Sequence, residues 1–147
     1  MTESRGPCAV CGRWPNRAVT LIGVVVHDQA VVIIRRGGVP ARGQLALPGG
    51  FMELDESAAD GCRREVREET GLETRVVRFI GVYDSPRRSP TQTVTLAFLL
   101  EPAGGDLRAG DDAAEAGWMS LGDVPPLAFD HSQIVADAVQ GLVRTPG

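Results

Sequence analysis

Gly50-Phe51-Met52-Glu53-Leu54-Asp55-Glu56-Ser57-Ala58-Ala59-Asp60-Gly61-Cys62-Arg63-Arg64-Glu65-Val66-Arg67-Glu68-Glu69-Thr70-Gly71-Leu72 carries the strongest pattern in the sequence. Ser57 is a good N-cap, Asp60 stands where a capping partner would, and Gly71 is a helix stop, so a helix is predicted over 57–70. At roughly 100° per residue, Glu65, Glu68 and Glu69 share an arc of about 100°, while Ala59, Cys62 and Val66 fall together on another side and read as core. Cys62 is then a small buried hydrophobe. Like charges three and four positions apart repel by a few tenths of a kcal/mol on an isolated helix, so the cluster calls for a cation. Arg63, Arg64 and Arg67 are candidates on the same helix, which would then be a solvated face of Arg–Glu pairs. The other candidate is a hard divalent metal, for which oxygen-only ligands are suited. Gly49-Gly50 favours the metal, since glycine lets a backbone carbonyl come close to the carboxylates. Metal-assisted attack of water on a phosphate ester or anhydride is the chemistry this arrangement would serve.

Outward from that helix, Ala18–Val26 and Ala30–Arg36 are rich in Val and Ile and read as a hairpin about His27-Asp28-Gln29. A Gly/Pro-rich loop, Gly37–Gly43, and a short apolar run, Leu45–Leu47, lead to Pro48-Gly49-Gly50. Strands are predicted over 74–83, 93–100 and 116–119, and a last helix over 131–143 capped by Asp130, with Ile134, Val135, Ala138 and Leu142 at helical spacing. Strands surrounding two helices give an α/β sandwich with a mixed sheet. The 147 residues divide into an N-terminal segment, 1–17, and one domain, 18–147.

Composition narrows the function. A net charge of −4 supplies no basic field for nucleic acid, and no run of apolar residues is long enough to span a membrane. All fifteen basic side chains are arginine, which fits a GC-rich coding sequence and removes every lysine mechanism, from Schiff bases to the P-loop lysine. Any cation meeting a substrate is a guanidinium, which grips phosphate bidentately. Three cysteines are too few for a disulfide framework, and Met1–Pro7 lacks a signal-peptide core, so a cytoplasmic location is expected.

Gly50 through Leu72 resembles the signature of the Nudix hydrolases: Gly, five residues, Glu, seven residues, Arg-Glu, an aliphatic, any residue, Glu-Glu, any residue, Gly, an aliphatic. Gly50, Glu56, Arg64, Glu65, Val66, Glu68, Glu69, Gly71 and Leu72 occupy all nine specified positions. The resemblance implies an α-β-α sandwich around a mixed sheet and a Mg2+- or Mn2+-dependent hydrolase of nucleoside diphosphate derivatives. It implies that Glu65, Glu68, Glu69 and the Gly50 carbonyl hold metal, that Glu69 deprotonates or orients the water, that Arg64 pairs with the carboxylates, and that Glu56 supports the loop–helix junction.

Tyr83-Asp84-Ser85-Pro86-Arg87-Arg88-Ser89-Pro90 is similar to a loop of the ADP-ribose pyrophosphatase branch, although Asp84-Ser85 is inverted and Thr91-Gln92-Thr93 replaces the usual continuation. The segments Gly110–Trp118 and Pro126–His131 also resemble that branch. Arg36, Arg87 and Arg88 are candidate substrate-binding residues. Glu115, then Asp112, is a candidate distal carboxylate, with an exposed acidic loop as the alternative, and His131 is either a phosphate donor or structural. Cys8 and Cys11 form half of a zinc-ribbon pattern: a vestige, candidate zinc ligands shared across a homodimer, or a redox pair. The expected function is hydrolysis of ADP-ribose to AMP and ribose 5-phosphate, with nucleoside triphosphate pyrophosphohydrolysis and a non-catalytic nucleotide sensor as alternatives.

Overall fold

The computed structural model describes residues 6–110 and 113–140. Asp112 and Leu142, named above, and the last three positions of the helix expected over 131–143 lie outside those residues.

The first hairpin joins β1 (Val19–His27) to β2 (Ala30–Arg36) in antiparallel register, with His27 opposite Ala30. Its two loop residues, Asp28 and Gln29, both have positive φ, at 48° and 63°, the geometry whose twist matches paired strands. β3 (Leu45–Ala46) follows, then β4 (Gly49–Phe51), α1 (Ala58–Thr70), β5 (Leu72–Tyr83), β6 (Val94–Gly105), β7 (Ala113–Ser120) and α2 (His131–Gln140). The spatial order is β3-β2-β1-β6-β5, with β4 added to β1 and β7 to β2. β1 and β6 run parallel while every other pairing is antiparallel, so the sheet is mixed as expected.

Alternation along the strands sorts the core into two layers. Leu21, Val25, Val32, Phe98 and Leu100 pack with Cys62 and Val66 of α1, whereas Ile22, Val24, Val31, Ile33, Ala97 and Leu99 pack with Ile134, Val135 and Ala138 of α2. Both faces are therefore covered by helices, which requires the near-continuous apolar runs seen in β1 and β2.

α1 starts where expected. The Ser57 side chain accepts from the Asp60 N–H at 3.1 Å, and Gly71 closes the helix at φ 78°, its N–H donating to the Arg67 carbonyl. Asp60 turns its carboxylate to Arg63 instead of completing a reciprocal cap.

Three expectations are corrected. Gly49–Phe51 is a strand on β1, with Gly50 opposite Leu21, where a loop was expected. β6 continues five residues past Leu100, through Pro102 and two glycines, because the start of β5 offers it partners as far as Gly105. β7 begins at Ala113 because β2 supplies a ladder for its whole length. Tertiary pairing overrides weak strand propensity in each case.

Candidate active site

Arg64 is the organising side chain of the carboxylate cluster. Its Nε and Nη2 donate to the two Glu56 carboxylate oxygens at 2.9 and 2.8 Å, its Nη1 donates to Glu65 at 2.9 Å and Glu68 at 3.1 Å, and Nη2 also reaches the Phe51 carbonyl at 3.1 Å. Glu53 lies 3.6 Å away. Arg63 and Arg67 face elsewhere, toward Asp60 and Thr74 and toward Glu73. Glu56 also accepts the Glu53 N–H at 2.7 Å, tying the loop to the helix, and the Arg64 guanidinium beside it lowers its carboxyl to about 2. Glu65, half buried, is shifted the other way chiefly by desolvation. Four carboxylates thus share one guanidinium, and a single positive charge leaves the cluster strongly anionic.

The strand β4 brings the backbone against this cluster. A side chain at Gly50 would collide with the Glu65 carboxylate. Glu69 is buried, and its Oε2 accepts the Gly49 N–H at 3.0 Å. Among the described residues no group of three His, Cys, Asp or Glu side chains is already gathered as a metal site. The donors still suit a hard divalent cation: all are oxygens, they carry surplus negative charge, and the glycine leaves room beside Glu65.

Glu69 also borders a cleft of about 370 Å³. Gly49, Gly50 and Phe51 continue that border, and Ile22, Ile34, Leu47 and Phe129 form an apolar wall. The polar lining includes Thr20, whose hydroxyl meets that of Thr95 at 2.6 Å, and His131. Size and lining are those of a small-molecule site. Arg36 lies on the cleft with its guanidinium 5.1 Å from the Phe129 ring centre, and its Nε donates to the Pro40 carbonyl.

His131 is buried and accepts the Leu47 N–H on Nδ1 at 3.1 Å. Burial lowers its pKa to about 4, so the ring is neutral near pH 7 and carries its proton on Nε2. The two arginines of the proline-flanked loop sit in different surroundings. Arg88 borders the cleft with a side chain only 4% exposed, donating to both Asp130 oxygens at 2.8 and 2.7 Å and to Thr93. Arg87 is exposed and does not line the cleft. Asp130 still begins α2, but through its carbonyl, which accepts from Gln133 and Ile134. Glu115 is on β7, outside the cleft, 3.2 Å from Arg35. Cys8 and Cys11 are exposed thiols, and Cys62 is buried.

Sequence reasoning missed Phe129 as part of the site and missed the threonines of β1 and β6. An aromatic beside a helix start and alternate threonines on strands have no motif, and only the packing brings them together.

A family model described as NUDIX domain matches residues 14–138. The chain is 43% identical over 121 residues to an ADP-ribose pyrophosphatase of Methanocaldococcus jannaschii, covering 82% of this chain and 72% of that protein. The NUDIX domain of Shewanella oneidensis NrtR, solved in complex with ADP ribose, is similar at TM-score 0.79 and 26% identity over 88% of this chain and 90% of that one. A bifunctional NMN adenylyltransferase/ADP ribose pyrophosphatase of Francisella tularensis, complexed with AMP and a Mn ion, is similar at TM-score 0.76 and 28% identity, covering 86% of this chain and 42% of that one.

Proposed function

The chain belongs to the Nudix family, and from that premise we propose that this hydrolase cleaves the pyrophosphate of ADP-ribose to AMP and ribose 5-phosphate with a divalent cation, Mg2+ or Mn2+. The observation that carries the reading is that the cleft reaches the carboxylates: Gly49, Gly50 and Glu69 line it, Gly50 packs against the Glu65 carboxylate and Glu69 accepts the Gly49 N–H, so a pyrophosphate bound beside the two glycines lies next to the acidic face of α1. The 43% identity to a protein named ADP-ribose pyrophosphatase supports the substrate.

Glu65, Glu68, Glu69 and the Gly50 carbonyl would hold the cation. When bound, such an ion offsets phosphate charge and lowers the pKa of a bound water. Glu69 takes the proton of the attacking water on its carboxylate, which the Gly49 N–H holds in place by Oε2. Water's oxygen bonds to one phosphorus, the bridging P–O bond breaks, and its electron pair leaves with the second phosphate. Arg64 bridges Glu65 and Glu68 through its Nη1, and Glu56 keeps Arg64 in position. Arg36 and Phe129 offer a guanidinium and a ring face to the rest of the nucleotide. Arg88 lines the cleft and is held there by Asp130, Arg87 on the same loop is the candidate to meet the far end of an extended substrate, and Glu115 is the candidate distal carboxylate.

A panel of nucleotides incubated with the protein and Mg2+, with products separated by chromatography, tests the reading. AMP and ribose 5-phosphate from ADP-ribose are expected. Pyrophosphate released from a nucleoside triphosphate in preference would overturn the substrate, and binding without turnover across the panel would make the chain a sensor.

A further inference from the structure

The N-terminal pair of cysteines plays no part in the cleft, and its geometry gives it a chemistry of its own. Cys8 and Cys11 lie three residues apart in a tight turn, closed by the Gly12 N–H donating to the Cys8 carbonyl at 2.8 Å and the Cys8 N–H donating to the Arg13 carbonyl at 2.7 Å. Both thiols are exposed. The N–H groups of Cys11 and Val10, and then the Cys11 thiol, hold the Cys8 thiol below its ordinary range, which favours its thiolate. Neither residue has a third His, Cys, Asp or Glu beside it suited to complete a metal site among the described residues. Cys62 is the opposite case, fully buried against Val66 and pushed up to about 12 by burial.

We propose that Cys8 and Cys11 form an exchangeable dithiol that a small-molecule disulfide closes to an intrachain disulfide, with Cys8 attacking and Cys11 resolving. The Cys8 thiolate attacks one sulfur of the small disulfide, forming a mixed disulfide and expelling one small thiolate. Cys11 then attacks the Cys8 sulfur, the mixed S–S bond breaks, and the second small thiolate leaves. The two cysteines are oxidised, the small disulfide is reduced to two thiols, and the two cysteine protons end on those thiols.

The test uses the full chain, reduced and desalted, exposed to oxidised glutathione, acid-quenched over time and weighed intact. Wild type is expected to become lighter by two hydrogens, with a digest placing the link between Cys8 and Cys11 and no glutathione retained. C11S is expected to hold one glutathione on Cys8, C8S to capture glutathione several-fold more slowly, and the double substitution to react at neither position. Circular dichroism checks that each variant keeps the fold. Wild type retaining glutathione on both cysteines would overturn the proposal. So would Cys62 reacting as fast as Cys8, or tightly held zinc in the purified protein that blocks the exchange. The readout is mass, so it stands apart from whether ADP-ribose is the substrate.

Discussion

Glu69 joins two jobs at one carboxylate: it accepts the Gly49 N–H and it borders the cleft. Glu69→Gln keeps size and a carbonyl acceptor for Gly49 while removing the proton acceptor. Turnover is expected to fall roughly 10²- to 10⁴-fold with the thermal midpoint little changed, as read by steady-state kinetics beside a melting curve. A near-normal rate would remove Glu69 from the chemistry. Gly50→Ala is the complementary change. Its added methyl would run into the Glu65 carboxylate, so Glu65 has to move off Arg64 or β4 off β1. Loss of activity with a weakened response to added Mg2+ is expected, measured as turnover against Mg2+ concentration.

At the level of elements, α2 is fastened to the loop between β5 and β6 by Arg88 and Asp130. Arg88→Ala leaves the Asp130 carboxylate without its guanidinium and is expected to cost about 3 kcal/mol in urea unfolding. Arg87→Ala, at an exposed position, is expected to stay within about 0.5 kcal/mol. That contrast also says what the sequence could and could not reveal. α1, its caps and the grouping of Glu65, Glu68 and Glu69 follow from local rules, since capping and helical spacing act over a few residues. Helical spacing alone offered Arg63, Arg64 and Arg67 to the cluster; the signature resemblance pointed to Arg64, and Glu56 with the Phe51 carbonyl are the distant partners that fix it there. Arg87 and Arg88 look alike as neighbours, yet one is buried against a residue 42 positions away. The added length of β6 and the whole of β4 depend on partners that no window of sequence contains.

Across the whole molecule, acid stability reports on His131. Its folded pKa of about 4 lies below the unfolded value of about 6.5, so the stability tied to its neutral form is present above pH 6.5 and is lost as pH falls toward 4. On the order of 3 kcal/mol is at stake, with Asp130 partly opposing and Arg88 and Arg36 reinforcing the effect of burial. Glu56, lowered to about 2, adds a loss that runs from its ordinary range downward, and Glu65 works in the opposite sense. The urea midpoint is expected to decline between pH 6.5 and 4, and His131→Gln is expected to flatten that limb.

The cleft also has a history in time. Thr20 and Thr95 touch across 75 positions of chain, Leu47 and His131 across 84, and Glu69 reaches back to Gly49. Closing such long loops is entropically slow and is rewarded only when the central parallel pair of strands and the last helix are both in place. A chain lacking the segment after residue 100 would carry the glutamates of α1 without the wall that Phe129 and His131 give the cleft, so the chemistry waits on the docking of α2.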